Sequence, residues 1–218
     1  MNGLHALTAD DGLVRGDGPT ALFLHGYGSH EQDLASLARW LPAGIPWASL
    51  RAPIALPQGG SAWFPITTPG NPDVEPVAIG TDAIWSWVDE HLGSGAPVVP
   101  IGFSQGGLMA TQLLRTRPAQ VAAAVVLAGF VQASAQPGDE MLATSRPPVF
   151  WGRGAEDRMI TAEAVHRTRG WLPAHATLVE RVYPQLGHSI DASEMDDVRH
   201  FLTEALAITP AAAPCSRG

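Results

Sequence analysis

Val98-Val99-Pro100-Ile101-Gly102-Phe103-Ser104-Gln105-Gly106-Gly107-Leu108 decides the reading of this 218-residue chain. An apolar run of strand character enters it and a helix-period segment, Leu108 to Arg117, leaves it. Between them a serine is flanked by glycine two positions before and two positions after. A serine on so tight a strand-to-helix turn takes a strained backbone conformation, and side chains at the flanking positions would collide with neighbours. Ser104 then stands at a helix N-terminus, where backbone N–H groups and the helix dipole favour developing negative charge. A serine that merely caps a helix needs no glycine on both sides. The pattern makes Ser104 a candidate nucleophile.

The same alternation of short apolar runs with helix-period segments extends outward in both directions, as expected of a parallel sheet built from strand–helix–strand units. Ala21–Leu24 and Trp47–Leu50 read as strands before the serine turn. Val121–Leu127, Pro148–Trp151 and Thr177–Tyr183 read as strands after it. Leu34, Leu37, Ala38 and Leu41 predict a helix stopped by Pro42, and further helices are expected near Val77–His91, Ala162–Trp171 and from about Asp191. Asp191 and Glu194 have capping-box spacing. Residues 57–76 are crowded with Pro and Gly and also hold Trp63 and Phe64. Such a loop resists regular structure, and its aromatic residues favour folding over something apolar. The expectation is one domain over residues 1–208, with a disordered tail at 209–218.

Composition mostly removes hypotheses. A formal charge of −8 argues against nucleic acid and against an anionic lipid surface. All 13 basic residues are Arg, so lysine nucleophiles and Schiff bases have no candidate. The single cysteine, Cys215, excludes an internal disulfide and a cysteine zinc cluster. The first residues lack a basic segment followed by an apolar run, and the longest apolar stretch, Val121 to Val131, is too short to cross a bilayer. A cytoplasmic protein is expected, without stable membrane insertion. Trp40, Trp47, Trp85, Trp87 and Trp171 fit either a core or an interface, which leaves a homodimer open.

A serine hydroxyl needs a base, usually a histidine that a carboxylate orients. In strand–turn–helix nucleophile sites the chain order is serine, acid, histidine. That order sets aside His5, His25, His30 and His91. His166 and His200 fall in helix-period segments, and His175 follows Pro173 in a connecting turn. His188 lies in the loop leaving the last strand, at the sheet edge where this architecture gathers its ligands. The acid belongs on the exit loop of Val149-Phe150-Trp151-Gly152, which offers Asp157 and Glu156; spacing does not choose between them. Asp139 reads as a solvated turn residue. For an oxyanion, one donor is the Gln105 backbone N–H and the other comes from His25-Gly26-Tyr27-Gly28, with Tyr27 the candidate.

Taken in order, Leu24-His25-Gly26-Tyr27-Gly28, Gly102-Phe103-Ser104-Gln105-Gly106, Gly154-Ala155-Glu156-Asp157 and Gly187-His188 resemble the carboxylesterase/phospholipase family of bacterial esterases and acyl-protein thioesterases. The resemblance implies an α/β-hydrolase fold, a mostly parallel sheet with helices on both faces and little or no cap domain. It implies hydrolysis of small esters or thioesters on a Ser104–His188–Asp157 triad, with no cofactor and no metal. It favours Asp157 as the acid and Tyr27 with Gln105 as oxyanion donors. It also suggests that the loop bearing Trp63 and Phe64 lines the acyl pocket. One departure is Trp151-Gly152-Arg153-Gly154, where many relatives carry His-Gly; it leaves the triad intact.

Overall fold

The apolar runs do become strands, and the alternation within each run explains the layering. In the computed structural model, which describes residues 3–9 and 18–207, β2 is Thr20–Leu24 and all five of its residues are buried. Leu22 and Leu24 join one core cluster while Ala21 and Phe23 join the other, because successive strand side chains point to opposite faces. The same split recurs in β7, Ala124–Leu127, and in β8, Pro148–Gly154, where Val149 and Trp151 face one side and Phe150 the other. A strand buried on both faces needs helices on both faces.

With β1 (Ala6–Thr8), β3 (Trp47–Leu50), β6 (Val98–Phe103) and β9 (Thr177–Tyr183), these strands form a seven-stranded sheet in the order β1-β3-β2-β6-β7-β8-β9. Every neighbouring pair is parallel except β1 with β3. Helices α2 (Val74–His91), α3 (Gln105–Thr116) and α5 (Ala162–His175) contribute Trp85, Leu108 and Leu172 to one core. Helices α1 (Glu31–Ala35) and α6 (Ala192–Ala205) contribute Leu34 and Phe201 to the other. A two-stranded hairpin, β4 (Ile54–Ala55) with β5 (Ser61–Ala62), stands apart from the sheet. Among the described residues no cap domain interrupts the strands, and no helix is long and apolar enough to cross a membrane. The tail at 209–218, with Cys215, lies outside the described residues.

Several boundaries differ from the sequence reading for local physical reasons. The expected helix over Leu34–Leu41 is α1 followed by a 3-10 turn, Ser36–Trp40, which tightens the chain ahead of Pro42. Helix α2 begins before Pro76, since a proline in the first turn removes an N–H that had no helical partner anyway. His175 ends α5 and stacks on Trp171 at 4.1 Å, so it is not in a connecting turn. The Val121–Leu127 run is a strand only over β7, preceded by an isolated bridge from Val121 to Val98 of β6. Asp139 is not a solvated turn residue: it opens α4 (Asp139–Ser145) and accepts two hydrogen bonds, of 2.8 and 2.7 Å, from the buried Arg115. Trp85 and Trp87 belong to the core, while Trp40, Trp47 and Trp171 pack half-buried against it.

The capping box forms by half. Asp191 accepts the Glu194 backbone N–H at 2.8 Å, but the Glu194 side chain does not return the bond. It turns inward against Gly152, where its carboxyl is buried without a hydrogen-bond partner among the described residues. Burial, then the nearby Asp191 and Asp197 carboxylates, push its pKa from an ordinary 4.5 to about 8. Between those values the folded protein holds a proton that the unfolded chain has released, so this group's contribution to stability falls as pH rises through the window. Glu194→Gln removes the ionisation. Its stability advantage over the unsubstituted protein, measured by denaturant unfolding, is expected to widen from about pH 5 to about pH 8 and then level. A gap independent of pH contradicts this.

Candidate active site

Strand β6 ends at Phe103 and α3 begins at Gln105, so Ser104 has to make the whole turn. It does so with φ 56° and ψ −113°, in the left-handed range that a side chain rarely adopts. Its N–H donates to Leu127 O of β7 at 2.8 Å, and its carbonyl accepts the Leu108 N–H at 3.1 Å. The turn is pressed against the end of β2. A Cβ on Gly106 would run into the Leu24 carbonyl and approach the His25 oxygen at 2.7 Å; one on Gly102 would meet the Gly106 carbonyl. The two flanking glycines therefore permit contact between backbones that no side chain could share.

Three sheet ends meet at this edge. The loop after β8 brings Asp157, and the loop after β9 brings His188. His188 Nε2 lies 2.8 Å from Ser104 Oγ, and Nδ1 lies 2.8 Å from Asp157 Oδ2. The other Asp157 oxygen accepts the Met159 and Ile160 N–H groups at 2.8 and 3.3 Å, which fixes the carboxylate plane. The Asp157 side chain is 6% exposed, so a charge on it acts on the imidazole with little screening by water. Phe103 packs on the His188 ring at 4.9 Å. Adjacent Glu156 is tied through its backbone N–H to Leu186 O and is exposed; of the two carboxylates, Asp157 is the one within hydrogen-bond distance of His188.

The end of β2 supplies a role that sequence order concealed. His25 is fully buried, and burial lowers its pKa, so the ring is neutral near pH 7. Its Nε2 accepts the Ala52 N–H at 3.1 Å, which places the ring proton on Nδ1, donated to Gly26 O at 2.7 Å. In a trans peptide the N–H points opposite to the carbonyl. Holding the Gly26 carbonyl toward His25 thus directs the Tyr27 N–H away from it. Gly26 and Tyr27 line the same cavity as Ser104. Among the described residues, no hydrogen bond occupies the Tyr27 or Gln105 backbone N–H.

That cavity, of about 420 Å³, is walled by Phe64, Ile66, Pro72, Phe103, Phe130 and Ile160 and opens beside Ser104 and His188. Of the two loop aromatics expected at an acyl pocket, Phe64 lines this cavity and Trp63 does not: it is 1% exposed and absent from the cavity wall. Its indole N–H donates to His25 O at 2.9 Å, and its backbone N–H donates to Gln105 Oε1 at 2.8 Å. Gln105 Nε2 in turn donates to Phe64 O at 2.7 Å. Trp63 is a buried strut joining the loop to the serine turn, because a large ring with an N–H gains most from a dry site with a carbonyl partner. The polar contacts of the Gln105 side chain, and Arg158 and Met159 at the cavity, were not foreseen; single charged or apolar loop residues carry no sequence signal of their own.

A family model described as Phospholipase/Carboxylesterase matches residues 16–206. Acyl-protein thioesterase 1 of Kluyveromyces lactis is 26% identical over 207 residues, covering 85% of this chain and 91% of that protein. A probable carboxylesterase of Oryza sativa subsp. japonica is 26% identical over 205 residues, covering 85% and 87%. The Bacillus cereus carboxylesterase crystal structure superposes with a TM-score of 0.77 at 21% identity, covering 93% of this chain and 94% of that one, a likeness of fold.

The contact between Gly106 and β2 is testable by stability. Gly106→Ala must push the turn off the Leu24 and His25 carbonyls, at an expected cost of roughly 2–4 kcal/mol. In a thermal melt this reads as a fall on the order of 10 °C. A melt unchanged within a degree or so contradicts the described packing.

Proposed function

This chain belongs to the phospholipase/carboxylesterase family and is a carboxylic ester hydrolase, and we propose that it works through an acyl-enzyme formed on Ser104. The observation that carries the proposal is the unbroken line from Asp157 through His188 to Ser104 at 2.8 Å per link, at the edge of an apolar cavity. His188 Nε2 takes the Ser104 proton as Oγ attacks the acyl carbonyl carbon. The imidazolium that results keeps its Nδ1–H on Asp157, whose charge stabilises it and fixes the tautomer. Negative charge building on the carbonyl oxygen is met by the Tyr27 and Gln105 backbone N–H groups, and a donor of this kind lowers the barrier by about 3 kcal/mol. Collapse of the tetrahedral intermediate expels the alcohol, which receives its proton from His188. Water then repeats the sequence, with His188 as base, and releases the acid and free Ser104.

His25 is a positioning residue in this scheme, since it aims the Tyr27 N–H without touching substrate. A cavity of about 420 Å³ is in the lower part of the range for small-molecule sites, which supports short- to medium-chain acyl esters. The similarity to a protein named acyl-protein thioesterase 1 favours a second reading, thioester or lysophospholipid hydrolysis on the same triad. Turnover of butyryl against palmitoyl oxygen esters and thioesters separates the two.

Ser104→Ala is expected to lower kcat on an aryl butyrate by at least about 10³-fold, with the circular dichroism spectrum unchanged. Near-full activity in that variant contradicts the mechanism. His25→Ala is expected to lower kcat by about tenfold or more with little change in KM, since the group it aims acts on charge present only in the transition state. A loss confined to KM contradicts the positioning role.

A further inference from the structure

Eleven of the 13 arginines fall among the described residues, in a chain whose acidic residues outnumber its basic ones by 21 to 13. Ten have a partner. Arg51, Arg115, Arg117 and Arg199, for example, are in ion pairs, Arg146 and Arg167 donate to backbone carbonyls, and Arg39 lies over Trp40. Among the described residues Arg158 alone has neither a carboxylate, a carbonyl nor an aromatic ring as partner, and Arg158 lines the same cavity as Ser104. From this juxtaposition we infer that Arg158 makes the site selective for esters carrying a second, anionic group, a carboxylate, separated from the scissile carbonyl by an apolar spacer. The inference rests on the reading of Ser104 as nucleophile.

The surroundings support that ligand class. No Asp or Glu lines the cavity among the described residues, so a substrate carboxylate meets no like charge in its wall. Phe64, Ile66, Phe130 and Ile160 line the same cavity as Ser104 and Arg158 and give it an apolar wall for the spacer. The backbone carrying Arg158 is held in register with the triad, because Asp157, the residue before it, accepts the N–H groups of Met159 and Ile160, the two after it. Behind the cavity, Arg167 donates to Val131 O at 2.7 Å and Gly70 O at 2.5 Å and pairs with no carboxylate among the described residues. Gly70 itself lines the cavity, so a second uncompensated cation adds to the positive potential there. A guanidinium binds a carboxylate in a planar, two-pronged geometry that an ammonium does not reproduce. Arg158 is exposed, so water and salt screen the attraction and limit the selectivity to about tenfold.

The test compares matched esters that differ in one carboxylate. On the acyl side the pair is an aryl hexanoate and the mono-aryl ester of adipic acid; on the alcohol side it is phenyl butyrate and 4-carboxyphenyl butyrate. The quantity read is kcat/KM of the charged ester over that of its neutral partner, in the wild type relative to Arg158→Met, so that intrinsic reactivity cancels. In one pair this ratio is expected to fall about tenfold in the variant, through KM, to be partly restored in Arg158→Lys, and to shrink with added salt. The pair that responds tells which side of the ester faces Arg158. If both ratios are the same in wild type and variant while the neutral esters are turned over, the inference is overturned and the esterase reading stands. If the wild type turns over none of the four, the esterase reading fails. The site is then read by calorimetric binding of adipate and hexanoate to Ser104→Ala protein. Tighter adipate binding that Arg158→Met abolishes supports the inference, and equal binding overturns it.

Discussion

The backbone of the Ser104 turn lies so close to the end of β2 that a single carbon at Gly106 would overlap the Leu24 carbonyl, and most of the site follows from that approach. It forces the serine into a left-handed conformation, because the chain has only one residue in which to reverse from strand to helix. It also brings the first amide of α3 beside the Gly26–Tyr27 peptide, two backbone segments that are 78 residues apart in the chain and share the wall of one cavity. The strain is sustained by what surrounds it: the Ser104 N–H is held by β7, and α3 is buried along nearly its whole length.

Around that contact the parallel sheet acts as a collecting frame. Parallel strands all end on the same edge, so loops distant in sequence arrive together without any of them being long. The loops after β2, β6, β8 and β9 bring His25, Ser104, Asp157 and His188 to one place. A second set of bonds ties the pocket wall to this frame. The Gln105 side chain grips the backbone of Trp63 and Phe64, and the Trp63 indole reaches His25 O. Gln105, the residue after Ser104, therefore ties the cavity wall at Phe64 to the serine turn, so a shift of one is carried to the other.

Much of this was legible in the sequence, and the reason is that chain order and backbone sterics leave marks there. Gly102 and Gly106 around Ser104 announce a turn too tight for side chains, and the alternation of β2 and β8 announces burial on two faces. The position of His188 after the last strand announces the sheet edge. What stayed hidden depends on side-chain partners distant in the chain. His25 precedes the serine, and so was set aside as a base with no sign that its ring orients Gly26. Trp63 looked like a pocket residue because an aromatic in a Pro/Gly-rich loop carries the same signal whether it faces a ligand or a buried carbonyl. Glu194 matched a capping box, whose spacing cannot tell that its carboxyl turns toward Gly152. Arg158 is one arginine among 13 until the partners of the others are known.

The account's central claim is that the acyl group passes through Ser104. The most direct measurement is peptide mass spectrometry of protein mixed with an aryl butyrate and quenched in acid during turnover. The account predicts a butyryl group on the peptide containing Ser104, with a burst of released aryl alcohol that matches the enzyme concentration. Steady turnover with no acylated Ser104 and no burst, or a butyryl group on another residue, would contradict it.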